Sequence, residues 1–267
     1  MMHQPRNGVR CRVLLGTAAA FVANGLAFGP STASAQRPLV DATQLLVVTT
    51  AGWASTTGEL RRFVRDDLRS PWRRAGGVVP IVVGRTGLAW GAGFDRFAAR
   101  GSPTAGPRKR EGDGRSPAGV FPLGRAFGFA PADSVRWVRI PYLPLTAASD
   151  CVDDTSSVHY NEIVDRKAVP RIDWVSAEHM RQIVGYRLGV IIRYNAAPPI
   201  RARGSCIFFH VWSGPRSTTA GCTALDAGEL RRLVAWLDPG AHPVVVQLPV
   251  AVYSGLRDRW RLPPLDH

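Results

Sequence analysis

The stretch CIFFHVWSGPRSTTAGCTALDAGEL, residues 206–230, decides how the chain is read. Its apolar opening, CIFFHVW, is short and rich in aromatic and branched residues, so it reads as a buried strand carrying His210 near its end. A polar loop then brings the chain to Gly221 and Cys222. Asp226 and Glu229 form a capping pattern before an amphipathic helix whose apolar face is Leu230, Leu233, Val234 and Leu237, with Gly240 as its stop. A histidine at a strand end and a cysteine behind a glycine can meet at one edge of a sheet.

Working outward, QLLVVTT (44–50), VVPIVVG (78–84), GVIIRYN (189–195) and PVVVQLP (243–249) are apolar runs bounded by Gly, Pro or Asn, and they read as strands. VRWVRIPY (135–142) alternates and predicts a further one. Two more helices are expected. One opens at Thr56 with Glu59 and continues through Leu60, Phe63, Val64 and Leu68; the other starts at Ser176 and runs through SAEHMRQIVGYR. Trp137, Trp174 and Trp236 read as packing residues. Strands dominate without regular strand–helix alternation, so the fold class is mainly β with a few helices, on a mixed or antiparallel sheet and not a doubly wound one. The Gly/Pro-rich stretch RGSPTAGPRKREGDGRSPAG (100–119) reads either as a linker or as a loop over a single domain spanning residues 36–267.

Residues 1–35 read as a secretory signal. Arg6, Arg10 and Arg12 precede an apolar segment, and small residues stand at Ala33 and Ala35. The segment falls short of the roughly 20 residues that span a bilayer. Cleavage near Ala35 is expected, with export to a periplasm or cell envelope and no stable membrane insertion afterwards. The formal charge is +14, carried by arginine apart from Lys109 and Lys167. That sign favours a polyanionic wall or membrane surface. Nucleic acid is excluded as a partner, because the basic residues are scattered and no binding motif occurs.

Loss of Cys11 with the signal leaves Cys151, Cys206 and Cys222, an odd count that spares one thiol in an oxidising compartment. Cys222 lies just before a capped helix, where amides and the positive helix end would lower its pKa. His210 can take its proton, giving a thiolate–imidazolium pair. The backbone N–H groups of Gly221 and Cys222 can serve as an oxyanion site. No C-x-x-C or H-E-x-x-H occurs, so no metal is expected. The histidine–cysteine order fits neither papain-like enzymes nor caspases.

HVWSGPRSTTAGC resembles the catalytic signature of the L,D-transpeptidase (YkuD-like) family, with Thr219, Gly221 and Cys222 filling its final S/T-x-G-C. KREGDGRSPAGVFPLG (109–124) is similar to a second family segment, and VDDTSSVHYN (152–161) to one of an exported branch. The likeness runs from about residue 44 to 249. It departs at Ala220, where many members carry histidine, and at Ala224, where many carry Asn or Arg. The resemblance implies a YkuD-like two-sheet β-rich catalytic domain acting on peptidoglycan stem peptides without a cofactor; a monomer is expected. Cys222 would form a thioester with a donor tetrapeptide and release D-alanine, and a second stem's amine would close a 3→3 cross-link. It also implies that a backbone carbonyl near Ser213 or Gly214 orients His210.

Several further roles follow as expectations. His159, Tyr160 and Asn161 would line the cleft with Thr219, and Arg216 would meet a stem-peptide carboxylate. The plainer alternative for His159 is a packing residue, and for Lys109, Glu111 and Asp113 it is turn chemistry fixed by Gly112 and Gly114. Two other functions use the same residues: a secreted cysteine hydrolase, such as an L,D-carboxypeptidase or peptidase, and a non-catalytic basic wall-binding protein. With Cys222 as the free thiol, Cys151 and Cys206 are left to pair, closing a loop worth roughly 4 kcal/mol in the chain-entropy picture. The alternative is a reduced Cys206 packed as a small hydrophobe.

Overall fold

The run QLLVVTT becomes β1 (Gln44–Thr50), and all seven of its residues are buried. The computed structural model describes residues 39–92, 105–196 and 198–266; the expected signal, residues 1–35, lies outside them. After β1 come β2 (Thr57–Val64), β3 (Arg73–Arg74), β4 (Val79–Val82), β5 (Leu88–Trp90) and the long β6 (Ser116–Gly128). Next are β7 (Tyr142–Pro144), β8 (Ser149–Val152), β9 (Ile163–Asp165) and β10 (Ala177–His179). The last strands are β11 (Leu188–Ile192), β12 (Phe208–Val211), β13 (Thr223–Leu225) and β14 (Val244–Pro249). Among the described residues there are two α-helices, α1 (Ala227–Trp236) and α2 (Val250–Trp260).

The large sheet runs β1–β14–β6–β11–β12–β13–β4–β2, and β2 pairs back onto β1, so these strands close into a barrel. Pairing is mixed: β1–β14 and β12–β13 are parallel, whereas β1–β2, β6–β14 and β11–β12 are antiparallel. Closure removes the free edges that an open sheet would present. Strands β1 and β14 read as unbroken apolar runs because one face fills the barrel and the other is covered by α2. Helix α1 covers β11 and β12. A second sheet of three strands, β10–β8–β9, stands beside the barrel. The sequence thus indicates the mainly β class, the mixed pairing and two sheets, but not that the larger one closes.

The Thr56–Leu68 helix is instead β2. Leu60 and Phe63 mimic a helical turn in spacing but lie on opposite faces of a strand, and both are buried. Pairing along all of β1 and with β4 overrides the local preference. The Ser176–Arg187 helix is also replaced. Its first residues form β10, paired to β8, and the rest makes two 3₁₀ turns, Met180–Gln182 and Val184–Arg187. Gly185 weakens any helix there. The strand expected over 135–142 begins only at Tyr142; Val135 ends a 3₁₀ turn, and Trp137 lies under the Arg231 guanidinium at 4.0 Å. Helix α2 was not expected. The Asp226-capped helix forms as read, with the Asp226 carboxylate accepting from the Gly228 and Glu229 N–H groups, but it stops at Trp236, before Gly240.

The disulfide between Cys151 and Cys206 forms, with Cα atoms 6.0 Å apart and a sequence separation of 55. It ties β8 of the small sheet to the chain entering β12.

Candidate active site

Strands β12 and β13 run parallel, with His210 opposite Ala224 and Phe209 opposite Thr223. Cys222 therefore enters β13 beside Phe208, whose N–H points at its Sγ at 3.3 Å. Cys222 and His210 line one cavity of about 380 Å³, with Glu178, Tyr186, Lys109 and Glu111 among its other walls. A larger apolar groove of about 800 Å³, walled by Leu39, Leu123, Ile140 and His242, lies away from both and offers no nucleophile.

The Cys222 backbone is fixed at its carbonyl. The Ser116 hydroxyl donates to it at 2.8 Å and the Thr219 hydroxyl at 2.6 Å. Ser116 also accepts from the Gly84 N–H at 2.9 Å, which ties the start of β6 to the chain beyond β4. Thr219 is itself held by an N–H···O bond to Val83 and by the Arg85 N–H on its carbonyl. Thr219, expected to contact substrate, both lines the cavity and holds the Cys222 carbonyl. The stretch 105–119, read as a linker or loop, is neither loose nor remote. Lys109 is buried there, pairing with Asp113 at 2.6 Å and donating to the Arg110 carbonyl at 2.7 Å. Gly204 at φ +100 admits the lysine: a Cβ there would stand 2.9 Å from Lys109 Cε. The turn chemistry expected of this segment is present, and it builds one wall of the site.

His210 Nδ1 lies 2.9 Å from the Val211 carbonyl. A carbonyl only accepts, so Nδ1 carries the proton and Nε2 is left as the basic nitrogen. The orienting carbonyl is thus Val211, not Ser213 or Gly214. Gly214's carbonyl is instead taken by the Ser217 N–H and hydroxyl, at 3.1 and 2.7 Å, in a loop turn. Gly185 backs the imidazole closely; a Cβ there would meet the Val211 oxygen at 2.8 Å and His210 Nδ1 at 3.0 Å. Tyr186 meets the ring edge-on, with centroids 5.2 Å apart.

Beneath the cysteine is a second apolar cluster containing Phe127, Tyr186, Phe208 and the disulfide. Phe127, Phe208 and Tyr186 pack edge to face at 5.0–5.7 Å, contacts worth about 0.5–1.5 kcal/mol each beyond their area. Burial here raises the Cys222 pKa, and the nearby Glu178 charge adds to it; the Phe208 N–H, Tyr186 and Lys109 oppose the rise without cancelling it. Burial likewise lowers the His210 pKa, against the Val211 carbonyl. The resting pair is therefore a neutral thiol and a neutral imidazole, and the thiol donates to the Cys206 carbonyl at 3.3 Å. Burial thus favours the neutral forms over the thiolate–imidazolium pair expected from the helix end. The N-terminal N–H groups of α1 are consumed by Asp226, and desolvation outweighs what remains of the helix field. Ionisation then has to be coupled to a base as bonding to carbon develops.

The VHYN segment supports the site more than it lines it. Asn161, at φ +67, donates to the Tyr194 and Asn195 carbonyls at 2.9 and 2.8 Å and accepts from the Cys206 N–H at 2.9 Å. It fixes the residue whose carbonyl holds the thiol. Tyr160 is buried and donates to Glu111, which also accepts from Ser205 at 2.9 Å. His159 bonds Glu162 at 3.0 Å and packs edge-on against Trp174, outside the cavity wall. Arg216 is exposed in the loop between His210 and Cys222 and is also not part of that wall. Ala220 and Gly221 line it; the Gly221 N–H donates to the Thr219 hydroxyl at 3.2 Å.

The residues missed by sequence reasoning are Ser116, Glu178, Gly185 and Tyr186. Ser116 lies inside the family-like 109–124 segment, which offered a signal. The other three fall in the stretch misread as a helix, where no local pattern marked them.

A family model described as YkuD, the L,D-transpeptidase catalytic domain, matches residues 64–246. No curated protein and no solved structure matches the chain.

Proposed function

Because the chain belongs to the L,D-transpeptidase (YkuD) catalytic-domain family, whose members act on peptidoglycan, we propose that it is an exported enzyme that joins two stem peptides by a 3→3 cross-link. The observation that carries this reading is the placement of His210 on β12 and of Cys222 at the entry to the adjacent parallel β13, opening into one cavity, with His210 Nδ1 committed to a carbonyl. The committed Nδ1 leaves Nε2 as the base.

In the proposed reaction, Nε2 takes the thiol proton as Cys222 Sγ bonds to the carbonyl carbon of the donor's L-centre. The N–H groups of Gly221 and Cys222 receive the developing oxyanion, Gly221 giving up its long bond to Thr219. The carbon–nitrogen bond breaks, the departing D-alanine amine takes the proton from His210, and a thioester remains. An acceptor amine then attacks that carbonyl, His210 removes a proton from the nitrogen, and the sulfur leaves. The enzyme acts as a monomer, with Arg216 and Thr219 as candidates for gripping the stem peptide.

Incubating the purified protein with disaccharide-tetrapeptides and weighing the products tests this. A dimer lighter than two tetrapeptides by one D-alanine plus no added water is the expected result. Tripeptide alone would replace transpeptidation with L,D-carboxypeptidase activity, and no product would leave a wall-binding role.

A further inference from the structure

Glu178 is unused by the chemistry described so far, yet it lines the same cavity as Cys222 and His210. It sits on β10 directly opposite Cys151 of β8, so the small sheet and its disulfide deliver it to the site. One carboxylate oxygen, Oε2, accepts from the Tyr186 hydroxyl at 2.6 Å. The other makes no hydrogen bond or ion pair among the described residues, and it is not among the buried unpartnered atoms. A carboxylate with one oxygen anchored and the other free, set in the wall of a reaction cavity, is placed as a base. Tyr186 also couples it to Cys222.

The chemistry has a vacancy for such a group. An acceptor amine arrives mostly as an ammonium ion, since an α-amino group ordinarily titrates near ~8 and an alkylamine near ~10.4. It must lose one proton before it can attack and a second as the amide forms. His210 can accept only one per acyl transfer. Water as acceptor has no such first proton to lose.

We propose that Glu178 is the base that deprotonates the incoming acceptor ammonium, and that it thereby favours transfer to an amine over hydrolysis of the thioester. This rests on the thioester reading above. The free oxygen of Glu178 takes one proton from the ammonium; the neutral nitrogen forms its bond to the thioester carbon; His210 takes the second proton; and the carbon–sulfur bond breaks with its electron pair on Cys222. His210 returns a proton to the sulfur, and Glu178 releases its own to water in the cavity.

The electrostatics suit the role. Burial, opposed by the Tyr186 bond and aided by the Asp153 and Glu111 charges, raises the Glu178 pKa to about 7. Cys222 faces it across Tyr186, and His210, Lys109 and Arg85 line the remaining wall. A carboxylate poised near 7 accepts a proton and gives it up again at neutral pH, which an ordinary glutamate does poorly.

The test is the ratio of amine transfer to hydrolysis from one acyl-enzyme, read in one reaction by product mass. Two acceptors are compared, an α-amino amide and a simple alkylamine. Glu178→Gln should lower the ratio by about 10²-fold. The loss should be greater for the more basic amine and should recover as pH approaches each amine's own pKa. An unchanged ratio in Glu178→Gln, with thioester still forming, would overturn the inference alone. Absence of thioester in the wild type would remove the proposed function and this inference with it. Should Glu178→Gln fail to fold, the wild-type pH profile decides. Transfer to both amines falling together below about pH 7 is expected; falls set by each amine's own pKa would contradict the proposal.

Discussion

Two regions face each other across the cavity and are built in opposite ways. His210 sits on β12 and Cys222 at the entry to the neighbouring β13, and the clamp on Cys222 comes from Ser116 at the start of β6 and Thr219 in the preceding loop. Glu178 and Cys151 belong to a three-stranded sheet that the disulfide and Asn161 tie to the chain entering β12. Covalent stapling does for the small sheet what barrel closure does for the large one. The difference teaches that the two walls are held by separate devices, meeting at Cys206, whose carbonyl accepts the Cys222 thiol.

The strongest way to probe the barrel side is His210→Ala. It removes the imidazole that shares the cavity with the buried thiol, so the acylation rate should fall by about 10²–10⁴-fold, read in single-turnover assays. Because burial disfavours ionisation of Cys222, the loss belongs near the upper end; retention of the wild-type rate would mean that another group activates the thiol.

Breaking the staple acts on the other side. Reduction, or a Cys151→Ser and Cys206→Ser double variant, should destabilise the fold by about 2–4 kcal/mol in denaturant titrations. Hydrogen exchange should accelerate first in β8, β9 and β10 and last in β1 and β14. Uniform acceleration would show that the two regions are one cooperative unit.

Gly185→Ala joins the two sides, since Gly185 lies on the segment following β10 and backs the imidazole of the barrel. A Cβ there, 2.8 Å from the Val211 oxygen and 3.0 Å from Nδ1, must disturb the pair those two atoms form. A displacement of about 1 Å can cost about 10²-fold in rate. The fall should appear in kcat with a small change in melting temperature, and wild-type kcat would show that the ring tolerates the crowding.

The smallest expected effect is a displaced pH limb. Burial lowers the His210 pKa from its usual 6.5, so the neutral, basic form persists to lower pH. The acid limb of acylation kcat/KM should therefore lie below pH 6.5, whereas the limb for amine transfer should lie higher, near the Glu178 carboxyl at about 7. A single limb shared by both steps would remove the distinction.

How much of this was legible in the chain follows the same division. The apolar runs of β1, β4, β11, β12 and β14 announce themselves because strands buried on both faces need no alternation. The turn into Cys222 and the Asp226 cap are local signals, and the disulfide followed from the cysteine count once Cys222 was set aside. What stayed hidden depends on partners distant in sequence. Leu60 and Phe63 look helical until β1 and β4 are brought beside them. Glu178 and Tyr186 look like one amphipathic helix until β8 claims the first and the aromatic cluster claims the second. The burial of the thiol stayed hidden for a related reason: the helix end is visible in sequence, but the Phe127, Phe208 and Tyr186 cluster around the sulfur is not.

The central claim is that a buried, neutral Cys222 is acylated with His210 as its base. Intact-mass measurement of the wild-type protein mixed rapidly with a tetrapeptide stem tests it most directly. The account predicts a transient gain equal to the donor less D-alanine, confined by peptide mapping to residue 222, absent from Cys222→Ala and slowed in His210→Ala. The same adduct on Cys222→Ala, or none on the wild type while products accumulate, would contradict it.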